Sequence, residues 1–210
     1  MCGMTQRARS AAAKQERERA ILDAARALAT GRSVREVTLT DIAAAVGMHK
    51  SAMLRYFETR EQIFLRITAE AWQEWSAAVR AELATAGRAE VAALLARSLV
   101  SRPLFCDLLA QAPMNLERNV SWAAVHEFKT TVLAEVDAVR KALRQRGISE
   151  QGTALLTTTA TSMAGALWQM AAPGTQLREF YRSHPELSHA LVDVEPRLTE
   201  ILAALVKGAG

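Results

Sequence analysis

A single uninterrupted helical pattern constrains this chain more than any other feature. It opens at Thr59-Arg60-Glu61-Gln62, where a threonine is followed three residues later by a glutamine, the arrangement of a capping box. Ile63, Phe64, Ile67, Ala71, Trp72, Trp75, Val79 and Leu83 then fall on one side of a helix that runs to Thr85, before Gly87 breaks it. An apolar stripe of that length has to be covered, and the natural cover is more helix with the same period.

The rest of the chain supplies it. Lys14 to Thr30 carries Ile21, Ala24, Ala25 and Leu28 as a stripe and ends at Gly31. Short helices are expected at Asp41–Val46, capped by Thr40 and stopped by Gly47, and at Lys50–Phe57. Others follow at Ala89–Leu99, Pro103–Ala110, Ser121–Gln145, Glu150–Ala172 and Val194–Val206, with Pro103 suited to a first turn and Ser149 to an N-cap. Only 10 glycines and 5 prolines interrupt 210 residues. The expected fold is all-α with about nine helices. A charge-free stretch, Gly152 to Gly174, approaches membrane length, but Thr153, Thr157, Thr158, Thr159, Thr161, Ser162, Gln169 and Pro173 mark it as a helix buried among others, with no membrane span expected.

Charge divides the chain. Residues 1–60 hold 11 Lys/Arg against 6 Asp/Glu, and residues 61–210 hold 15 against 16, so the net excess of +4 lies in the first part. A basic end on a near-neutral body suits a polyanion such as DNA, the alternative being a solvated basic surface. Cys2 and Cys106 suggest neither a disulfide framework nor a zinc site. No secretory signal opens the sequence, so a cytoplasmic location is expected. No Ser/His/Asp order, HExxH, P-loop or GxGxxG is visible, and His49, His126, His184 and His189 lack metal-ligand spacing. Neither an enzyme nor a cofactor or metal is therefore expected.

The segment Leu39 to Phe57, LTDIAAAVGMHKSAMLRYF, reads as two short helices joined by a tight turn at Gly47. Ile42, Val46, Met48 and Met53 are placed to close a small core between them, and Ala43 and Ala44 let the helices cross closely. This is a helix-turn-helix, whose second helix enters the major groove. From about Arg17 to Trp75, ILDAARALA followed by VTLTDIAAAVGMHKSAMLRYFETREQIF resembles the tetracycline-repressor (TetR) family. The resemblance rests on the first helix, Ile42-Ala43 with Gly47, the Tyr56-Phe57 pair and the capping box with Arg60. Two positions depart from the family pattern. His49 replaces the usual turn serine and is a poorer cap, and Leu54 stands where tyrosine is usual, offering only an apolar contact, for example to a thymine methyl.

The expected organisation is a flexible basic tail over 1–13, a three-helix DNA-binding head over 14–60, and a helical effector-binding and dimerisation body over 61–210. At the DNA, the Thr40 hydroxyl and nearby N–H groups suit a phosphate, as does Lys50. Ser51, Ala52, Leu54 and Arg55 are expected to face the groove. Arg55 is the expected base reader, because arginine pairs bidentately with guanine, with a phosphate contact as the alternative. The resemblance implies a phosphate contact for the Tyr56 hydroxyl, against packing on the first helix, and for Arg60, in place of the family's lysine. Arg7 and Arg9 are candidates for a minor-groove arm.

Helices 150–172 and 194–206 are expected to pair across a two-fold axis in a homodimer, chiefly as the resemblance implies, with packing of both inside a monomer as the alternative. The resemblance further implies a repressor that a small ligand releases from a palindromic operator on double-stranded DNA. Candidate pocket walls are Phe105, Met114, Trp122, His126, Met163, Trp168 and Met170, favouring an apolar or aromatic effector, with plain core as the alternative reading. Two other readings stay open: a DNA-binding regulator controlled by a protein partner without a small ligand, and a helical interaction protein that no longer binds DNA.

Overall fold

The long amphipathic segment folds as its stripe requires and becomes the axis of the molecule. The structure is a computed structural model that describes residues 2–208, with side chains from residue 11 onward. Among the described residues it contains ten α-helices and no strand: α1 (Cys2–Gly31), α2 (Leu39–Ala45), α3 (Lys50–Met53), α4 (Arg60–Leu83), α5 (Val91–Val100), α6 (Pro103–Met114), α7 (Trp122–Arg144), α8 (Glu150–Ala171), α9 (Gln176–Ser183) and α10 (Val194–Gly208). Thr59 caps α4 by accepting the Gln62 N–H at 3.1 Å, and the Gln62 side chain accepts the Glu58 N–H at 2.6 Å. Burial on α4 extends past the stripe to Leu65, Thr68, Ala69 and Ser76, because other helices cover it on several sides.

Two clusters of apolar side chains meet along α4. The head cluster gathers Ile21, Ala25, Val34, Val37, Ile42, Met53 and Phe57 around Ile63, Phe64 and Ile67, and it takes in Leu108 from α6 and Phe128 from α7. The body cluster gathers Trp72, Trp75, Val79 and Leu83 with Leu95, Leu99, Phe105, Leu156, Leu198 and Leu202. One helix thus roots both, and its two ends cannot shift independently without opening one of them.

Two segments differ from expectation. Helix α1 begins at Cys2, not at Lys14, so residues 2–13 are helical where a flexible tail is expected; Met1 lies outside the described residues. Ala11, Ala12 and Ala13 are strong helix formers, but the side chains described there, those of residues 11–17, are exposed and supply no buried stripe. Helix α9 is the other addition. Thr175 caps it through the Arg178 N–H at 3.4 Å, yet none of its residues is fully buried, so no core stripe marks it either.

The body closes through a direct backbone contact. A Cβ on Gly165 of α8 would lie 2.8 Å from the Ala110 nitrogen of α6, so the two helices touch where only glycine fits. Gly165→Ala is expected to lower stability by about 1–3 kcal/mol through overpacking. Urea unfolding checks this, and an unchanged midpoint would mean the two helices have room to separate. The charge-free stretch lies in α8, and no described helix is long and apolar enough to cross a membrane.

Candidate nucleic-acid interface

The head is built by short-range bonds. Val34 and Val37, both fully buried, pin the link between α1 and α2 into its core. Thr38, not Thr40, caps α2: its hydroxyl accepts the Asp41 N–H at 3.1 Å, while the Asp41 carboxylate accepts the Thr38 N–H at 2.8 Å. The Thr38 N–H and hydroxyl hold the Asp41 carboxyl below its usual range, and Arg32, 3.1 Å away, adds to the effect. Thr40 sits exposed in the first turn instead.

Gly47, at φ +64, turns the chain between the two short helices. His49 then caps α3. Its Nδ1 accepts the Ser51 N–H at 3.3 Å and lies 2.8 Å from the Ser51 hydroxyl, so the imidazole does the work expected of a serine. Helix α3 is one turn, shorter than Lys50–Phe57, and the chain continues in turn bonds from the Tyr56 and Phe57 N–H groups to the Met53 carbonyl. Met53 and Phe57 face the core. Lys50, Ser51, Leu54 and Arg55 are exposed and Ala52 is half-buried. Leu54 is 54% exposed, an apolar side chain displayed between cations. Tyr56 packs half-buried on the head core.

Arg60 is not brought to that surface. Its guanidinium donates to the Val34 and Val37 carbonyls and to Glu61 at 2.9 Å, and it lies 4.9 Å over the Phe64 ring. It is 13% exposed. In place of the outward position that a phosphate contact needs, it forms a clasp that ties the link after α1 to the start of α4. The side chains of Arg7 and Arg9 lie outside the described set.

The expected effector walls do not converge. Phe105 is core, edge-on to Trp72 at 5.5 Å. Trp122, at the first position of α7, is 87% exposed, and Met114, His126 and Met170 are exposed as well. The buried side of α7 carries Phe128, Val139 and Leu143, and His126 falls outside it. Met163 is half-buried against the body core. Trp168 does line a cavity, a cleft of ≈ 720 Å³ bounded by Arg32 and Ser33 of the head and by Leu104, Gln169 and Leu177. A smaller groove of ≈ 310 Å³ runs between α4 and α7, floored by Leu65, Ala69 and Phe128 and rimmed by Arg66 and Glu127.

The pattern for bacterial regulatory proteins of the tetR family matches residues 21–67, and that for the tetracyclin repressor-like C-terminal domain matches residues 69–210. The chain belongs to the tetR family. It is a DNA-binding transcriptional regulator with an N-terminal helix-turn-helix. Solved structures share the fold. The regulator PfmR from Thermus thermophilus is 19% identical, with a TM-score of 0.58, covering 90% of this chain and 98% of that one. The Thermus thermophilus FadR repressor in complex with lauroyl-CoA is 22% identical, with a TM-score of 0.53, covering 84% and 95%. FadR from Bacillus subtilis in complex with stearoyl-CoA is 15% identical, with a TM-score of 0.53, covering 88% and 97%. No curated relative matches the sequence.

Two polar residues of this TetR-family regulator escape a reading of the sequence alone. Thr38 sits three residues before Asp41, a capping signal overshadowed by Thr40. Asp107 is the single charge in α6, and it is buried. Its neighbour Cys106 donates its thiol to the Leu99 carbonyl at 3.3 Å. Burial, helped by the Asp107 charge, pushes that thiol up to about 12. In a Cys2→Ser background, Cys106 is expected to resist iodoacetamide at pH 8 in the folded protein and to react only on unfolding. Alkylation at the rate of a free thiol would show that the α5–α6 junction opens to solvent.

Proposed function

We propose that this regulator is a homodimeric repressor that reads a palindromic operator through α3 in the cytoplasm and is released by a small apolar or aromatic ligand. The observation that carries the reading is the surface of α3. Met53 and Phe57 anchor it inward, which leaves Lys50, Ser51, Leu54 and Arg55 outward together. Two cations, a hydroxyl and an apolar tip suit phosphate, base edge and thymine methyl in one groove. Thr40 and Tyr56 flank that surface and are assigned to phosphate.

A dimer is supported by α8. Its outer face, Leu155, Thr158, Ser162, Ala166 and Met170, is exposed yet carries no charge, and Ile201 and Leu205 of α10 lie half-buried. A ligand is supported by the groove between α4 and α7, whose apolar floor continues the head core at Phe57 and Phe128. The FadR proteins named above are described with acyl-CoA molecules, which favours a ligand-responsive body. A protein partner in place of a small ligand is the second reading, favoured by the exposure of Trp122 and Met114.

Selection of bound duplexes from a random pool at near-physiological salt tests the reading. An enriched inverted repeat, with half-sites about one helical turn apart or slightly more, is expected. Absence of any enriched motif, in protein shown to be folded and dimeric, would sink direct operator reading by α3.

A further inference from the structure

We infer that Asp107 and Gln169 form the joint through which α8 positions the DNA-reading head, with Gln169 as the movable arm. The contacts of the joint all lie within one chain. Its consequence for operator binding rests on the dimeric reading proposed above.

Asp107 is 5% exposed. One carboxylate oxygen accepts the Val34 N–H at 2.7 Å and the Ser33 hydroxyl at 3.2 Å, and the other accepts the Gln169 amide at 2.8 Å. All three donors are neutral. A buried carboxylate held by hydrogen bonds alone loses heavily when a donor leaves, so it keeps its donors in fixed positions. Val34 opens the short 3-10 turn Val34–Glu36, and Val34 and Val37 are fully buried in the head core immediately ahead of α2. Whatever moves the Asp107 carboxylate therefore pulls on the entry to the helix-turn-helix.

The other side of the joint is α8. Gly165 lets α6 lie backbone-to-backbone on α8 at Ala110. One turn further along α8, Gln169 meets Asp107, which is three residues back along α6. Both contacts fall on one face of α8, so α6 cannot slide along α8 without stretching the Gln169 bond. The outer face of α8 is the uncharged one. Gln169 itself is exposed and lines the ≈ 720 Å³ cleft between head and body, so its hydrogen bond is within reach of solvent and of anything that enters the cleft. Arg60 clasps the same link to α4 from the other side, through the Val34 and Val37 carbonyls. Of these two clasps on the link, the one through Asp107 leads to α8.

Three variants test the joint. Gln169→Leu removes the arm without adding charge. Gln169→Glu sets two carboxylates against each other. Asp107→Asn combined with Gln169→Glu exchanges the groups: the asparagine amide donates to Glu at 169, and its carbonyl still accepts from Val34 and Ser33. Each is measured by amide exchange over residues 33–57 against α5 and α10, by affinity for the selected operator against a single half-site, and by sedimentation. Both single variants are expected to speed exchange in the head about ten-fold and to weaken the two-half-site operator about ten-fold. Exchange in α5 and α10, dimerisation and half-site affinity should hold. The exchanged pair should restore head protection and operator affinity. Should the added charge prevent folding, Gln169→Leu alone decides the matter. Head exchange equal to wild type in the single variants, or no recovery in the exchanged pair, overturns the joint. A wild-type protein that selects no inverted repeat overturns the dimeric reading instead, and the exchange measurement still decides the joint.

Discussion

Trp75→Ala is expected to lower the free energy of unfolding by about 3–5 kcal/mol, the range for a large aromatic removed from a packed core. Trp75 is fully buried at the point where α4 meets α5 and α6. Its ring stands edge-on to Trp72 at 5.4 Å and tilted on Phe105 at 6.0 Å. Its Nε1–H donates to the Ser98 hydroxyl at 3.0 Å, and that hydroxyl donates onward to the Leu95 carbonyl at 2.9 Å. Alanine removes the stacking and the indole donor, and it leaves a hole walled by Trp72, Phe105 and Leu95 that side chains in close packing fill only in part. Domains of this kind are stable by about 5–15 kcal/mol, so the variant should sit near the edge of folding. Trp75→Phe keeps most of the volume and should lose about 1–2 kcal/mol, mainly the hydrogen bond to Ser98. Urea midpoints at constant m measure both. A loss under about 1 kcal/mol for alanine would mean that the site was never tightly packed. Phe105 would then return as a pocket wall.

What could be read from the sequence follows from what burial writes into it. Helix α4 is legible because its stripe repeats over many turns, and α8 because Ser149 caps it, accepting the Gly152 N–H at 3.2 Å. The helix-turn-helix is legible because Ile42, Met53, Gly47 and Phe57 have spacing that few other structures need. Helix α9 buries too little to leave a pattern, and residues 11–17 of α1 are exposed. Long-range polar contacts leave no periodic pattern. Arg60 matches a phosphate-binding position by local pattern, but its partners are carbonyls 23 and 26 residues away in the chain. Trp122, Met114 and Phe105 show why residue type alone fails to find a pocket: an aromatic at helical spacing reports that a helix has sides, not which side is hollow. Asp107 did leave a signal, a lone carboxylate inside an apolar run, and the physical rule that buried charges need partners is what gives that signal meaning.

Arg55→Ala is expected to remove about 1–3 kcal/mol of operator affinity, concentrated at one base position of each half-site. Arg55 is exposed just past α3, beside Leu54 and opposite the buried Met53, so its guanidinium is free to pair with a guanine edge. Competition among operator variants separates base reading from phosphate binding: a loss shared equally by all sequences would make Arg55 a phosphate contact. Lys50→Ala should act in that second way. It should weaken all duplexes alike and reduce the salt slope by about one for each head that engages DNA. Arg60→Ala supplies the contrast that separates contact from scaffold. Its charge is turned inward, so removing it should leave the salt slope as in wild type. The Val34 and Val37 carbonyls would lose their donor, and the head should lose stability by about 1.5–3 kcal/mol. If the slope instead fell as it does for Lys50→Ala, the Arg60 clasp would have to open on DNA. The guanidinium would then be a phosphate ligand that is stored against the link until the operator draws it out.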